Sequence, residues 1–82
     1  MAQANKQYRQ RTFTVPSYGK VKIVTRPRTS VGNLIGFYVN INDRKFCVNM
    51  QSIIGECIKH GHNDFQTAAE DLAYVKWVNE VA

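Results

Sequence analysis

The chain is short of the features that mark several large classes of protein. No apolar run approaches the ~20 residues that a membrane-spanning helix needs, and the opening MAQANKQYRQR contains no apolar core of a secretory signal. Only two cysteines occur, Cys47 and Cys57, with no C-x-x-C pair. That argues against a disulfide scaffold and a zinc ribbon and favours free thiols in a reducing cytoplasm. Gly32 and Gly36 are isolated, so there is no glycine-rich phosphate loop. Repeats and low-complexity stretches are absent. Acids are scarce in the first half: Asp43 is the only one before residue 46.

That last scarcity shapes the charge. Residues 1–45 carry nine Lys/Arg and one acid, or +8, whereas residues 46–82 carry Lys59 and Lys76 against five acids, or −3; together they give the chain's +5. The asymmetry favours an anionic partner on one side of the molecule. With 82 residues, 44% of them hydrophobic, the chain makes one domain with a modest core.

The most informative stretch is Leu34 to Val48, LIGFYVNINDRKFCV. A two-residue loop at Asn42-Asp43, both tolerant of positive φ, sets Ile41 opposite Arg44, Asn40 opposite Lys45, Val39 opposite Phe46, Tyr38 opposite Cys47 and Phe37 opposite Val48. Side chains alternate along a strand. Phe37, Val39, Phe46 and Val48 then share one face, and Tyr38, Asn40, Lys45 and Cys47 the other. A slip of one residue would mix the two sets.

Earlier, Arg11–Val15 reads as a short strand, Pro16–Gly19 as a turn, and Lys20–Arg26 as a strand with Val21, Ile23 and Thr25 on one side and Lys20, Lys22, Val24 and Arg26 on the other. Pro27 is expected to end that strand, leaving 28–33 as a loop. Residues 1–10 are expected to form a flexible basic arm ahead of a single domain, 11–82. There Lys6, Arg9 and Arg11, with Tyr8, could clamp a phosphate backbone.

Two helices follow. Asn49 is a candidate cap. Met50, Ile53, Ile54, Cys57 and Ile58 repeat at i, i+3, i+4, i+7, i+8, and Gly61 suits the helix end. Asn63 or His62 is expected to start the last helix, with Phe65, Ala68, Ala69, Leu72 and Val75 as its core stripe. A second apolar set, Tyr74, Trp77, Val78 and Val81, faces away from the first and needs cover, either from within the chain or from a partner or second copy. The predicted fold is α+β: a small antiparallel meander of three to four strands with two C-terminal helices packed on one face.

On this pattern the segment from Gly36 to Ala73 resembles small sheet-plus-helix nucleic-acid modules, such as double-stranded-RNA-binding domains and the arm domains of phage integrases. In both, an alanine-containing helix backs a short meander. The chain departs from the RNA module in lacking its first helix and in placing Asp64 where lysines open the last one. No family residue is carried over.

Catalytic and metal chemistry have little to stand on. Cys57, His60 and His62 form a C-x-x-H-x-H cluster, but Cys57 belongs to an apolar stripe and buried cysteine behaves as a small hydrophobe. A ribonuclease could use His60 or His62 as acid or base; that is the enzymatic alternative to a non-enzymatic protein with no cofactor and no metal. The favoured reading is nucleic-acid binding, RNA ahead of DNA, through a basic sheet face collecting Lys20, Lys22, Arg26, Tyr38 and Lys45, with Arg28 and Arg44 at its edges and Arg9 and Arg11 joining from the N-terminus. The second reading is a phage-type accessory protein that inhibits a host nuclease or ribonuclease toxin in an antitoxin-like manner, with or without RNA, through Tyr74, Trp77, Val78 and Val81. Either would act in the cytoplasm, the host's if the chain is phage-encoded.

Overall fold

A computed structural model describes residues 9–81. The order is β1 (Arg9–Val15), β2 (Gly19–Ser30), β3 (Asn33–Ile41), β4 (Arg44–Asn49), α1 (Met50–His60) and α2 (Phe65–Val81). The strands form one antiparallel sheet in the order β1-β2-β3-β4, and both helices pack against it and each other. This is the α+β architecture expected, a meander with helices on one side.

The β3–β4 hairpin has the expected register throughout, from Phe37 opposite Val48 to Ile41 opposite Arg44. Asn42 and Asp43 both adopt positive φ, 47° and 73°, as a two-residue turn matched to strand twist requires. Asn42 also fastens the turn to β2: its Oδ1 accepts from the Lys22 N–H at 2.9 Å, and its Nδ2 donates to the Lys20 carbonyl at 3.2 Å.

β2 outruns the expectation. It passes through Pro27 to Ser30, and the expected loop shrinks to a turn at Val31 and Gly32, where φ is 51° and 79°. At Pro27 the strand keeps its pairing with β3, opposite Phe37. At this end a bulge between β2 and β3 shifts the register between Arg28 and Thr29, and Gly36 follows at a tight crossing. A Cβ there would stand 2.3 Å from the Val48 carbonyl oxygen, so only glycine fits. β1 likewise begins two residues early, at Arg9; the rest of the expected arm lies outside the described residues.

The core lies between sheet and helices: Val21, Ile23, Phe37, Val39, Ile41 and Val48 meet Ile53, Ala68, Ala69, Ala73 and Trp77. The helix faces differ from those expected. In α2 the buried line is Ala69, Ala73 and Trp77, with Ala68 and Glu70 beside it, while Phe65 and Val75 are exposed. The sheet-facing line is therefore turned by one residue, ~100° of helix, from the expected stripe. Alanines bring the helix axis close to the sheet, and Glu70 reaches cations on β1. In α1, Ile53 is buried and Met50 and Cys57 half-buried, but Ile54 and Ile58 face outward. α1 rests on α2 and on the β3–β4 side of the sheet, a narrower seat than a full apolar stripe would fill.

Caps account for the helix ends. The Asn49 side chain accepts from the Ser52 N–H at 3.0 Å, and Gly61, at φ 70°, donates its N–H to the Cys57 carbonyl. Asp64, not Asn63 or His62, caps α2: its carboxylate accepts from the Thr67 N–H at 3.1 Å and the Thr67 hydroxyl at 2.7 Å.

Candidate nucleic-acid interface

Strand alternation decides what the helix-free face of the sheet displays. Cross-strand pairing sets Arg26 opposite Tyr38 and Tyr38 opposite Cys47, so these three make one row across β2, β3 and β4. The neighbouring row is Val24, Asn40 and Lys45, with Gln10 at its β1 end. On the other side Arg28 pairs with Gly36, and its guanidinium lies 5.9 Å from the centre of the Tyr38 ring. Lys22 and Lys20 continue the face along β2, opposite Thr12 and Thr14 of β1.

Five cations of the expected set, Lys20, Lys22, Arg26, Arg28 and Lys45, thus share this face with Tyr38. Tyr38 is 44% exposed, well above what an aromatic buried for packing would show. Among the described residues none of the five cations is in a salt bridge. Arg26, Tyr38, Asn40 and Lys45 line a shallow depression of about 240 Å³. A second, of about 330 Å³, lies between Lys22, Val24, Asn40 and the Asn42–Asp43 turn. Arg26, Arg28 and Lys45 thus lie near one accessible ring, and Lys22 and Lys20 extend the positive charge along β2.

Three expected members lie elsewhere. Arg9 and Arg11 have the same parity on β1 as Phe13 and Val15 and so point to the helix side. Arg9 Nε donates to Glu70 Oε2 at 3.1 Å, and Arg11 Nε stands 3.2 Å from Glu70 Oε1. Arg44, opposite Ile41, is also on the helix side, where it pairs with Glu80. These three neutralise helix acids rather than extend the open face. Glu70 was not singled out from the sequence, although a glutamate directly after the buried Ala68-Ala69 pair is a signal that charge enters the core.

The apolar set on α2 is divided. Trp77 is 2% exposed. Tyr18, from the β1–β2 turn, meets it edge-on at 4.8 Å between ring centres, and Tyr74 lies at 5.7 Å. Its cover comes from within the chain, the first of the two kinds of cover expected for this set. Tyr74 and Val78 are half-buried, and Val81 is exposed; with Tyr18 they rim a cleft of about 210 Å³ floored by Trp77.

The histidines did not gather with Cys57. His62 and His60 instead approach Glu56, and His62 also approaches Asp71. Among the described residues no helix is long and apolar enough to cross a membrane. Comparisons with protein-family models, with curated proteins and with solved structures return no significant match to this chain.

Proposed function

We propose that the protein is a small, non-enzymatic nucleic-acid-binding protein, RNA ahead of DNA, and that its contact surface is the helix-free face of the sheet. One observation carries this reading: Lys20, Lys22, Arg26, Arg28 and Lys45 share one face with the exposed Tyr38 and, among the described residues, none of them is in a salt bridge, while the acids of α1 and α2 lie across the sheet. Cations take phosphates at the gain of counterion release, and an exposed ring stacks an unpaired base. A sheet with a stacking ring suits single strands and loops, the usual targets of sequence-reading RNA modules. A helix entering the major groove would need a basic face, and α1 and α2 instead carry four of the chain's six acids, Glu56, Glu70, Asp71 and Glu80.

The test is anisotropy titration of labelled RNA and DNA oligonucleotides against Lys22→Ala/Arg26→Ala/Lys45→Ala across a salt series. Affinity should fall, and the slope of log affinity against log salt should drop by about 2, since each lost single-strand phosphate contact removes ~0.7. Tyr38→Ala should cost ~1–3 kcal/mol of RNA binding if one base stacks there. Arg44→Ala, on the opposite side, is the control and should bind as wild type. Unchanged affinity of the triple variant for both nucleic acids would refute the proposal.

A further inference from the structure

Glu56 and Glu70 are the buried acids of this domain. Glu70 has two guanidiniums. Glu56, its side chain 9% exposed, has no Lys or Arg among the described residues; its carboxylate meets only imidazoles. His62 Nε2 lies 3.3 Å from Glu56 Oε2, and His60 Nε2 lies 3.7 Å from the same oxygen. Asp71 Oδ2 stands 3.7 Å from the same His62 nitrogen. The donor atoms of Glu56, His62 and Asp71 all fall within 4.8 Å of one another.

The local fold brings them together. α1 ends at His60, and the left-handed Gly61 turns the chain so that His62 faces back toward Glu56 while α2 presents Asp71. His62 bridges the two carboxylates, hydrogen-bonded to Glu56 at 3.3 Å and 3.7 Å from Asp71, and a divalent cation held by all three would replace that bridge with stronger charge compensation for the buried Glu56. A tetrahedral ion bound at ~2.0–2.2 Å spaces adjacent ligand atoms about 3.3–3.6 Å apart, close to the His62 distances. Mixed imidazole and carboxylate donors suit zinc and its neighbours rather than magnesium or calcium, which prefer oxygen alone.

We propose that Glu56, His62 and Asp71 form a binding site for a zinc-class divalent cation, with the fourth position open to water. The ion would fasten the end of α1 to α2. His62 and Asp71 also line a cavity of about 250 Å³ with Thr67 and Tyr74, which supplies an entry path from solvent. The site is independent of the sheet face.

The experiment uses the full chain, stripped with chelator and then titrated with Zn²⁺ or Co²⁺ alone. Stoichiometric binding is expected, with the strong visible absorption of four-coordinate Co²⁺ and a Tm that rises with Zn²⁺ but not with the same concentration of Mg²⁺. His62→Ala and Asp71→Asn should each weaken binding by more than about tenfold, the least that losing even a supporting group costs a metal site. Asp71 is half exposed, so Asp71→Asn should fold normally without metal and keeps the test sound if His62→Ala does not. No stoichiometric binding and an unmoved Tm would overturn the proposal. So would binding by both variants as tight as wild type, because the ion would then sit elsewhere.

Discussion

Replacing Glu70 by alanine should cost this domain a large part of its stability. The side chain is 4% exposed, and its Oε2 accepts from the Thr25 hydroxyl at 2.8 Å as well as from Arg9. Arg9 continues to the Thr67 hydroxyl at 3.2 Å, so one carboxylate links β1, β2 and α2. Removing one partner of a fully buried ion pair costs ~3–5 kcal/mol. Here the Arg9 and Arg11 side chains are 34% and 55% exposed, so both guanidiniums regain water and each ionic contact is worth ~0–1 kcal/mol. The Thr25 hydroxyl has no such escape: the residue is fully buried, and an orphaned hydroxyl costs ~1–3 kcal/mol. Together these give ~1–5 kcal/mol, against a total of ~4–12 kcal/mol for a domain of this length. Glu70→Gln keeps the shape and an acceptor for Thr25 and should cost ~1 kcal/mol. Urea denaturation followed by Trp77 fluorescence would show the midpoint falling by ~1–3 M at unchanged slope. A double-mutant cycle with Arg9→Ala should be non-additive, since the two side chains touch. If Glu70→Ala stays within ~0.5 kcal/mol of wild type, or Glu70→Gln is as costly as alanine, the carboxylate does not link the layers as argued.

Two further outcomes follow from the same packing. The Asp64 carboxyl is held below its ordinary value of 3.8, first by the Thr67 hydroxyl, then by the Thr67 N–H and the charges of Arg9 and His62, with burial opposing. A depressed folded pKa gives stability that is present above the unfolded value, ~3.9, and lost as pH falls through the folded one. The stability gap between wild type and Asp64→Ala, ~0.5–2 kcal/mol for a helix cap, should therefore hold at neutral pH and shrink below about pH 4 in acid-unfolding curves; a gap constant down to pH 2 would contradict the cap. Trp77→Ala, removing a ring covered by Tyr18 and Tyr74, should cost ~3–5 kcal/mol in denaturant titrations. A folded variant of unchanged stability would put the ring outside the core.

How far the fold could be read from residues alone depended on the period involved. In the β3–β4 hairpin the period is two, and a one-residue slip would have placed Lys45 among Val39 and Ile41, so a single register was physically acceptable. On α2 apolar residues occur almost all round, and several stripes satisfy a 3.6-residue period. What selected among them was Glu70, which could only be buried where β1 supplied cations, and Trp77, which needed the rings at the β1–β2 turn. Both are long-range partners that periodicity does not contain. The same holds for Glu56 and Asp71, which meet His62 only after the Gly61 turn. β2 runs past its expected end because Pro27, read as a breaker, still pairs opposite Phe37 of β3.

The misplaced arginines bear most directly on function, and the signal for them was available. Phe13 and Val15 alternate to one side of β1 and pack against the core, and the same alternation extended two and four residues back from Phe13 puts Arg11 and Arg9 on that side. Arg44 follows from its pairing with the buried Ile41. Parity thus sorts the described cations of the N-terminal half into two populations. Arg9, Arg11 and Arg44 are consumed by Glu70 and Glu80. Lys20, Lys22, Arg26, Arg28 and Lys45 have no acid to meet among the described residues. Net charge would rate the two groups alike, but only the second keeps its field available to a ligand. An affinity that depends on the second group and ignores Arg44 would therefore report the geometry of the sheet and not merely the basicity of the chain.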